Sequence, residues 1–269
     1  MALVTDQATA LPDGYCHIVL SPHLDDAALS CGGFIARMTA AGERVLVVNV
    51  CSGLPSAHMG FSSFAQSLHE RWALPPSSVV AYRRVEDAAA LGVLGADALL
   101  LPELDAIYRC PDVYDDEVSL FATPATHDPL TDAVVRLTTT LVERYPRATF
   151  HVPLAVGMHV DHQLVFAGAT SVLQAADVRY GYYEDFPYAR QPLAVEQRLA
   201  MIGREHYAPR YVPLDEALLQ VKITAISAYS SQLNVLFGGA AAMPAAVTEY
   251  AARIAFPAMR YAERQWVRI

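Results

Sequence analysis

Short, fully apolar runs alternate with segments of helical periodicity along the first two thirds of the chain. Runs of this kind are typical of strands buried on both faces of a parallel sheet. They predict five strands, at residues 17–20, 45–50, 97–101, 148–154 and 179–183. The segments between them predict helices at residues 27–41, 82–94, 130–144 and 160–175. We therefore expect an α/β fold with a mainly parallel sheet and helices on both of its faces.

The last third of the chain has a different pattern. Residues 214–233 and 245–259 predict two further helices, and the final residues, 264–269, are a candidate edge strand. No linker separates these segments from the rest, so we expect one domain over residues 1–269. Its core would span about residues 15–185, and residues 186–269 would form a helical C-terminal extension.

Composition narrows the class of protein. The chain has 269 residues, of which 54% are hydrophobic, and a formal net charge of −9. An acidic surface repels phosphate backbones, so nucleic acid is not an expected partner. The longest nearly apolar stretch, residues 235–247, is too short to span a bilayer, and the N-terminal residues lack the features of a signal peptide. We expect a cytoplasmic protein with no membrane partner, in which the four cysteines are small buried hydrophobic residues.

The strongest chemical signal is the sequence SPHLDD at residues 21–26, between the first predicted strand and the helix after it. Ligands of open α/β sheets bind at the carboxyl ends of the strands. His23 and Asp26 are three residues apart, so a tight turn can direct both at one cation, and imidazole with carboxylate suits zinc. A structural alternative is that Asp25 or Asp26 only caps the helix.

A second signal follows the fourth predicted strand, in the sequence GMHVDH at residues 157–162. The carboxyl end of this strand is expected at the same edge of the sheet as that of the first. His159 and His162 have a spacing that lets both imidazoles converge on one site. A catalytic zinc usually has three protein ligands and one open position, so His23, Asp26 and one of these two histidines would complete the set. The remaining histidine would then be free for acid–base chemistry.

Three further features have both a functional and a structural interpretation. Arg83, near the start of a predicted helix, would grip substrate oxygen atoms or form a surface ion pair with Glu86. The aromatic and acidic segment YYEDFPY at residues 182–188 would bind a sugar or pack on the core. The segments at residues 51–80 and 101–129 are long loops, and loops of this length are often functional.

Together these motifs resemble those of the PIG-L or LmbE-like deacetylase family. SPHLDDAALSCGG at residues 21–33 is similar to the first motif of that family, and HVDH at residues 159–162 to the second. RRVEDAAALGVLG at residues 83–95 resembles its Arg-x-x-Glu helix, and AYSSQL at residues 228–233 its late Tyr-x-Ser-Gln segment. The similar positions extend over about residues 15–233.

The resemblance implies a Rossmann-like sheet and a zinc-dependent amidase that removes an N-acyl group, typically acetyl, from an amino sugar or a related conjugate. It implies that His23, Asp26 and His162 are the metal ligands. It also implies that Asp25 is the general base and that Arg83 contacts the substrate. It further implies that a protonated His159 stabilises the oxyanion, supported by the Asp161 carboxylate, while a zinc-activated water attacks the acyl carbon. Leu24, Ala27 and Val160 depart from the residues common in the family, but none of them is a ligand position.

Several alternatives remain open on the sequence alone. The cofactor would be zinc or another divalent metal, and the substrate an N-acylated amino sugar, a non-sugar conjugate or a natural-product intermediate. A non-catalytic zinc-binding relative is a further alternative, although metal binding by itself does not require Asp25 and His159. A homo-oligomer is compatible with the sequence. The chain lacks the phosphate-binding loop, the serine nucleophile elbow and the HExxH helix of other enzyme classes.

Overall fold

Eight strands form one sheet in the computed structural model, which describes residues 2–56, 58–255 and 259–269. Numbered in chain order, the strands are β1 (Val4–Thr5), β2 (His17–Ser21), β3 (Val45–Asn49), β4 (Asp97–Leu100), β5 (Thr149–Pro153), β6 (Tyr180–Tyr183), β7 (Tyr207–Leu214) and β8 (Tyr261–Arg268). Their spatial order is β1-β4-β3-β2-β5-β6-β8-β7. The first six strands are parallel to one another, and β8 is antiparallel to both β6 and β7.

Eleven α-helices accompany these strands within the described residues. They are α1 (Asp26–Ala40), α2 (Ser63–Trp72), α3 (Val79–Leu94), α4 (Ala106–Arg109), α5 (Glu117–Leu120), α6 (Leu130–Arg144), α7 (Val160–Ala175), α8 (Ala194–Ile202), α9 (Glu216–Ile226), α10 (Ser230–Phe237) and α11 (Met243–Ile254). Three short 3-10 helices lie at Ala8–Ala10, Tyr188–Arg190 and Arg204–His206. None of the described helices combines the length and the apolarity needed to cross a membrane.

The predicted α/β fold with a mainly parallel sheet is confirmed. All five predicted strands are present with ends within one residue of the predicted ones, and α6 and α7 begin and end at the predicted residues. Helix α1 packs on α3 and α9, whereas α6 packs on α7. β3 and β5 are buried along their whole length, which requires helices on both faces of the sheet.

The C-terminal part adds strands as well as helices. The candidate edge strand at residues 264–269 falls in β8, which lies inside the sheet, so the prediction of an edge position is wrong. The edge strand beyond it is β7, which the hydrophobic pattern does not predict because it contains Pro209 and Pro213. Proline cannot donate to a strand ladder and is therefore tolerated mainly at sheet edges, where β7 lies.

Two predicted helices also differ from the observed ones. The pattern at residues 214–233 is not one helix but the end of β7 followed by α9 and α10. A turn separates the two helices at buried Tyr229, whose hydroxyl donates to the Asp87 carboxylate at 2.7 Å. The helix predicted at residues 245–259 is α11, which ends at Ile254. Residues 256–258 of that prediction lie outside the described part of the chain.

Candidate metal centre and active site

The two histidine motifs meet at the carboxyl ends of two adjacent strands. β2 pairs with β3 on one side and with β5 on the other, and the chain continues from β2 to β3 in one direction and from β5 to β6 in the opposite direction. Such a switch point is where open α/β sheets bind ligands. The turn from β2 into α1 contains His23 and Asp25, and Asp26 is the first residue of α1. On the neighbouring strand, His159 caps the start of α7 and His162 lies in its first turn.

Three buried donor atoms from these turns form a nearly equilateral triangle. The Asp26 Oδ2 atom lies 3.4 Å from His23 Nδ1 and 3.2 Å from His162 Nε2. The two ring nitrogens are 3.3 Å apart. A tetrahedral zinc with bonds of about 2.0–2.1 Å has ligand atoms about 3.3–3.4 Å from one another. The donor set therefore fits a zinc ion in its chemistry and in the spacing of its atoms.

Buried negative charge around the triangle is a second indication of a cation. Five buried carboxylates lie around two buried guanidinium groups, those of Arg83 and Arg109. The carboxylates are those of Asp25, Asp26, Asp128, Asp161 and Asp185. Charges removed from water are costly unless they are paired or coordinate a metal. A divalent ion at the triangle would offset part of this excess.

Both imidazoles of the triangle are held by a carboxylate on their other ring nitrogen. His23 Nε2 lies 2.9 Å from Asp161 Oδ2, and His162 Nδ1 lies 2.7 Å from Asp185 Oδ1. Metal-binding histidines commonly have such a partner, which fixes the ring and its tautomer. The second nitrogen of each ring, Nδ1 of His23 and Nε2 of His162, is thereby left for a metal.

The partner of Asp161 differs from the predicted one. Its carboxylate contacts His23 and accepts hydrogen bonds from Arg109 Nη2 at 2.6 Å and from the Ala106 backbone at 3.1 Å. His159 instead accepts a hydrogen bond on Nδ1 from the Asp161 backbone amide at 3.2 Å. The Asp161 carboxylate thus hydrogen-bonds His23 and acts on His159 only through its charge, which raises the pKa of His159. α7 begins at Val160, so the Asp161 amide faces the capping His159 ring.

The surroundings of His159 lower its pKa and so favour the neutral ring. Burial lowers its pKa well below the ordinary value, and the neighbouring His23 lowers it further. Because Nδ1 accepts a hydrogen bond, the ring proton is on Nε2. The structure thus argues against the predicted cationic His159 and favours a neutral N–H donor. One nitrogen of His159 also lies within 4.8 Å of nitrogens of His23 and His162, so the ring belongs to the same cluster.

Asp25 lies beside the triangle in a strained backbone conformation. Its φ of 141° falls in a region that non-glycine residues rarely adopt, and such strain is often found at functional positions. Burial raises the pKa of Asp25 to about 7, with Arg83 opposing the rise and Asp26 adding to it. Arg83 Nη2 donates to Asp25 Oδ2 at 3.2 Å and to the Leu24 carbonyl at 3.0 Å. The interpretation of Arg83 as a surface ion pair is thereby wrong.

The aromatic and acidic segment at residues 182–188 has a mixed role. Tyr182 and Tyr183 are buried in the sheet, and Glu184 is buried against Arg264 and Trp266, so these residues are structural. Asp185 holds His162, and Tyr188 lines the cleft above the triangle. Sequence reasoning singled out this segment but not the role of Asp185.

A cleft of about 270 Å³ opens above the donor triangle. Its polar floor contains six of the seven predicted site residues, which are His23, Asp25, Asp26, Arg83, His159 and His162. The predicted loops at residues 51–80 and 101–129 contain α2, α4 and α5 and pack on each other through a separate apolar cluster. They supply one wall of the cleft.

The family model described as PIG-L, GlcNAc-PI de-N-acetylase, matches residues 18–212. These residues include the donor triangle and the side chains that contact it. The chain belongs to the PIG-L family. The resemblance inferred from the sequence motifs is thereby confirmed. The activity expected from the motifs, hydrolysis of an N-acyl amide, is the activity that the family's description states.

Similar proteins are also N-deacetylases. The 2'-N-acetylparomamine deacetylase of Streptomyces fradiae is 29% identical over 220 residues, which cover 81% of this chain and 73% of that protein. The zinc-inhibited form of teicoplanin deacetylase has a TM-score of 0.76 at 26% identity, covering 94% of this chain and 98% of that one. The A40926 pseudoaglycone deacetylase has a TM-score of 0.75 at 27% identity, covering 96% and 98%. Like this PIG-L member, these relatives fall in the class of amide hydrolases.

Replacing Asp185 by asparagine should weaken zinc binding about 10–100-fold in this PIG-L member. The substitution keeps the size of the side chain but removes the charge beside His162 Nδ1. Competition with a chromophoric chelator would measure the zinc affinity. Asp132→Asn on α6 is a suitable control, since Asp132 is exposed and does not line the cleft. An unchanged affinity in Asp185→Asn would contradict the supporting role of this carboxylate.

Proposed function

We propose that this chain hydrolyses the N-acyl amide, in particular the N-acetyl amide, of a small molecule that contains an amino sugar. We further propose that zinc is the metal, held by His23, Asp26 and His162. One observation carries the proposal, namely that these three donors form a triangle of 3.2–3.4 Å edges on the floor of an open cleft. The substrates named for similar deacetylases, N-acetylparomamine and teicoplanin, support the amino-sugar class.

The residues around the triangle suit amide hydrolysis. Zinc bound there would lower the pKa of a water molecule and polarise the acyl oxygen. Asp25 lies next to the triangle with a pKa raised to about 7, so it can accept a proton from the attacking water near neutral pH. The same proton, transferred from Asp25 to the amide nitrogen, lets the amine leave as the C–N bond breaks. The products are a free amine and a carboxylic acid, which loses its proton to water and becomes the carboxylate.

His159 and Arg83 have complementary roles in this proposal. The Nε2–H of neutral His159 donates to the acyl oxygen as negative charge develops on it. Arg83 holds the Asp25 carboxylate through Nη2. Its Nε atom has no hydrogen-bond partner among the described residues, and its side chain lines the cleft, so a shift of the guanidinium group would offer this donor to a substrate oxygen. Arg83 would thus position both the base and the substrate.

Replacing His159 by glutamine should lower kcat about 10²–10³-fold with little change in KM. The reason is that the N–H donor to the developing oxyanion is displaced, while the donor triangle stays intact. Steady-state kinetics on an N-acetylated amino sugar, with zinc content measured in parallel, would check this. A rise in KM with unchanged kcat would contradict the proposed donor role. So would a variant that loses zinc and regains full activity when zinc is added back.

An amide-cleavage assay tests the proposed function. N-acetylglucosamine derivatives and N-acetylated non-sugar amines would be incubated with metal-loaded and chelator-treated protein, and released acetate measured. We expect cleavage of the sugar amides that the chelator abolishes and added zinc restores. Chelator-resistant cleavage would contradict the metal proposal. Stoichiometric zinc binding without cleavage of any amide would instead identify a metal-binding protein that lacks this activity.

A further inference from the structure

The carboxylate of Asp161 is held on both of its oxygens, with a different set of neighbours on each. Oδ2 lies 2.9 Å from His23 Nε2 and also accepts a hydrogen bond from the Ala106 backbone amide at 3.1 Å. Oδ1 accepts a hydrogen bond from Arg109 Nη2 at 2.6 Å. The Asp161 side chain is fully buried, so solvent does not compete for these contacts. Arg109 therefore fixes which oxygen of Asp161 faces His23, the proposed metal ligand.

Arg109 is itself held in one orientation by acceptors around its guanidinium group. Its Nε and Nη2 atoms donate to the Asp128 carboxylate at 2.7 and 2.8 Å, and Nη1 donates to the Leu104 carbonyl at 2.5 Å. Nη2 thereby bridges the carboxylates of Asp128 and Asp161. A planar guanidinium group serves several acceptors in fixed directions, whereas the ammonium group of lysine is a point charge. The arrangement thus uses a geometry that lysine lacks.

Asp128 connects this guanidinium group to the rest of the segment at residues 101–129. Its carboxylate accepts hydrogen bonds from the Tyr114 hydroxyl at 2.9 Å and from the Leu130 backbone amide at 3.0 Å. The Tyr114 hydroxyl in turn accepts a hydrogen bond from the Ala125 amide at 3.1 Å. A continuous series of hydrogen bonds therefore leads from the donor triangle into this segment. The series runs through His23, Asp161, Arg109, Asp128 and Tyr114.

The packing of the segment does not by itself account for these buried charges. The segment already joins residues 51–80 through an apolar cluster. The side chains of Arg109, Asp128 and Asp161 are at most 5% exposed. A buried ion pair adds little net stability, because its charges lose their contact with water. The network is better explained by the geometry that it fixes, which is that of Asp161.

The same segment also borders the cleft above the donor triangle. Asp105 at the start of α4, together with Ile107, Leu120 and Phe121, lines the cleft. The residues that hold Asp161 and the residues that form this wall therefore lie on one segment. Thermodynamic coupling is reciprocal, so a segment that favours metal binding is stabilised by the bound metal to the same extent.

We infer that Arg109 is a positioning residue of the metal centre, which orients Asp161 and, through it, His23. A metal bound at the donor triangle in return stabilises the segment at residues 101–129, and with it one wall of the cleft. The inference rests on the metal site of the function proposed above. It adds to that site a residue that hydrogen-bonds none of the proposed ligands and does not line the cleft.

Replacing Arg109 by lysine tests this role through metal binding. Lysine keeps the positive charge, so the attraction of the site for a cation is preserved, but it cannot hold Asp128 and Asp161 in the fork of a guanidinium group. We expect the zinc affinity to fall about 10-fold, which is the lower end of the range for residues that support a metal ligand. Competition with a chromophoric chelator measures this affinity. An unchanged affinity in Arg109→Lys would overturn the inference.

A matched control makes the same substitution at the other end of the sheet. Arg44 precedes β3 and donates to the Asp13 carbonyl and the Asp97 carboxylate, both at 2.9 Å. Arg44→Lys therefore also breaks a guanidinium fork, but at the amino ends of the strands and away from the cleft. It should keep the zinc affinity of the wild-type protein. An equal loss in Arg44→Lys and Arg109→Lys would contradict a specific role of Arg109.

A second control separates positioning from stability of the segment. Tyr114→Phe removes a hydrogen bond to Asp128 but leaves the contact between Arg109 and Asp161. It should lower the midpoint of thermal unfolding of the metal-free protein without changing its zinc affinity. If Tyr114→Phe lost as much zinc affinity as Arg109→Lys, Arg109 would have only a structural role and the inference would fail.

Hydrogen exchange of the wild-type chain tests the reciprocal effect without any variant. Zinc should slow amide exchange at residues 104–128 about 10-fold, the same factor as for the affinity, while α9 at residues 216–226 stays unchanged. Arg109→Lys should lose this slowing and keep the slowing in α1 and α7. Exchange at residues 104–128 that does not respond to zinc in the wild-type protein would overturn the coupling.

These measurements are independent of amide cleavage. Zinc-dependent protection of the segment in a protein that cleaves no amide would refute the proposed function and support the role of Arg109. Amide cleavage by the wild-type protein, together with an unchanged zinc affinity in Arg109→Lys, would refute that role and leave the proposed function intact.

Discussion

Replacing Asp25 by asparagine is expected to reduce turnover of an N-acetyl amide about 10²–10⁴-fold while zinc content stays at one ion per chain. Asparagine has nearly the same shape but cannot accept the proton of the attacking water. The Asp25 carboxylate is not part of the donor triangle, so the metal should remain. Single-turnover kinetics and elemental analysis of the same preparation would measure both quantities.

Two features of the site support the proposal that Asp25 is the base. Its carboxylate is buried, and burial raises its pKa to about 7, which poises it for proton transfer near neutral pH. Its hydrogen bond from Arg83 and its strained φ hold it in one position. Asp215→Asn, which changes an exposed helix cap on α9, is the matched control and should retain full turnover. Activity close to wild type in Asp25→Asn would refute the assignment.

Replacing His162 by alanine is expected to weaken zinc binding by more than about 100-fold. A loss of about 100-fold is the upper limit for removing a residue that only hydrogen-bonds a metal ligand, and His162 is proposed to be a ligand itself. The variant loses one of three donors and leaves the Asp185 carboxylate without its imidazole partner. The purified variant should contain far less than one zinc per chain by elemental analysis. Deacetylation should fall in proportion, because the remaining protein lacks the ion.

A control for this variant must remove a histidine of similar burial. His151 is fully buried in β5 and does not line the cleft, so His151→Ala tests whether the loss of an imidazole by itself reduces metal content. We expect His151→Ala to retain zinc when folded, as judged by circular dichroism. Full zinc occupancy in His162→Ala would mean that His162 is not a ligand.

The sequence predicted the centre of the fold well because its strands are continuous apolar runs. β2 and β5 are recognisable from such runs, and the motifs that follow them are short and local. The parallel pairing of these strands then brings His23 close to the motif that contains His159 and His162, as expected from topology, whereas the choice of His162 as the ligand comes from the family resemblance. The proposed donor triangle could therefore be assembled without coordinates.

Contacts that depend on distant segments could not be predicted in this way. Asp161 contacts His23 because α4 supplies the Ala106 amide and Arg109 beside it, and no sequence pattern links these residues. Asp185 lies in the aromatic and acidic segment at residues 182–188, for which the sequence predicts sugar binding or packing on the core. Its role depends on β6 pairing with β5, which places it next to α7.

The sequence did not predict the outer parts of the fold, for a related reason. β7 contains two prolines, so its sequence resembles a loop, and only its edge position makes the strand compatible with them. One wall of the cleft arises from the two long segments at residues 51–80 and 101–129, which fold against each other through side chains far apart in the chain. Periodicity within either segment carries no information about that association.

Anomalous diffraction at the zinc edge, from crystals of the wild-type chain grown with one equivalent of zinc, tests the proposed metal centre most directly. We expect a single strong peak about 2.0–2.1 Å from His23 Nδ1, Asp26 Oδ2 and His162 Nε2, with a fourth position open to the cleft. A peak elsewhere, or none between these three atoms at full zinc occupancy, would contradict the donor triangle and with it the proposed mechanism.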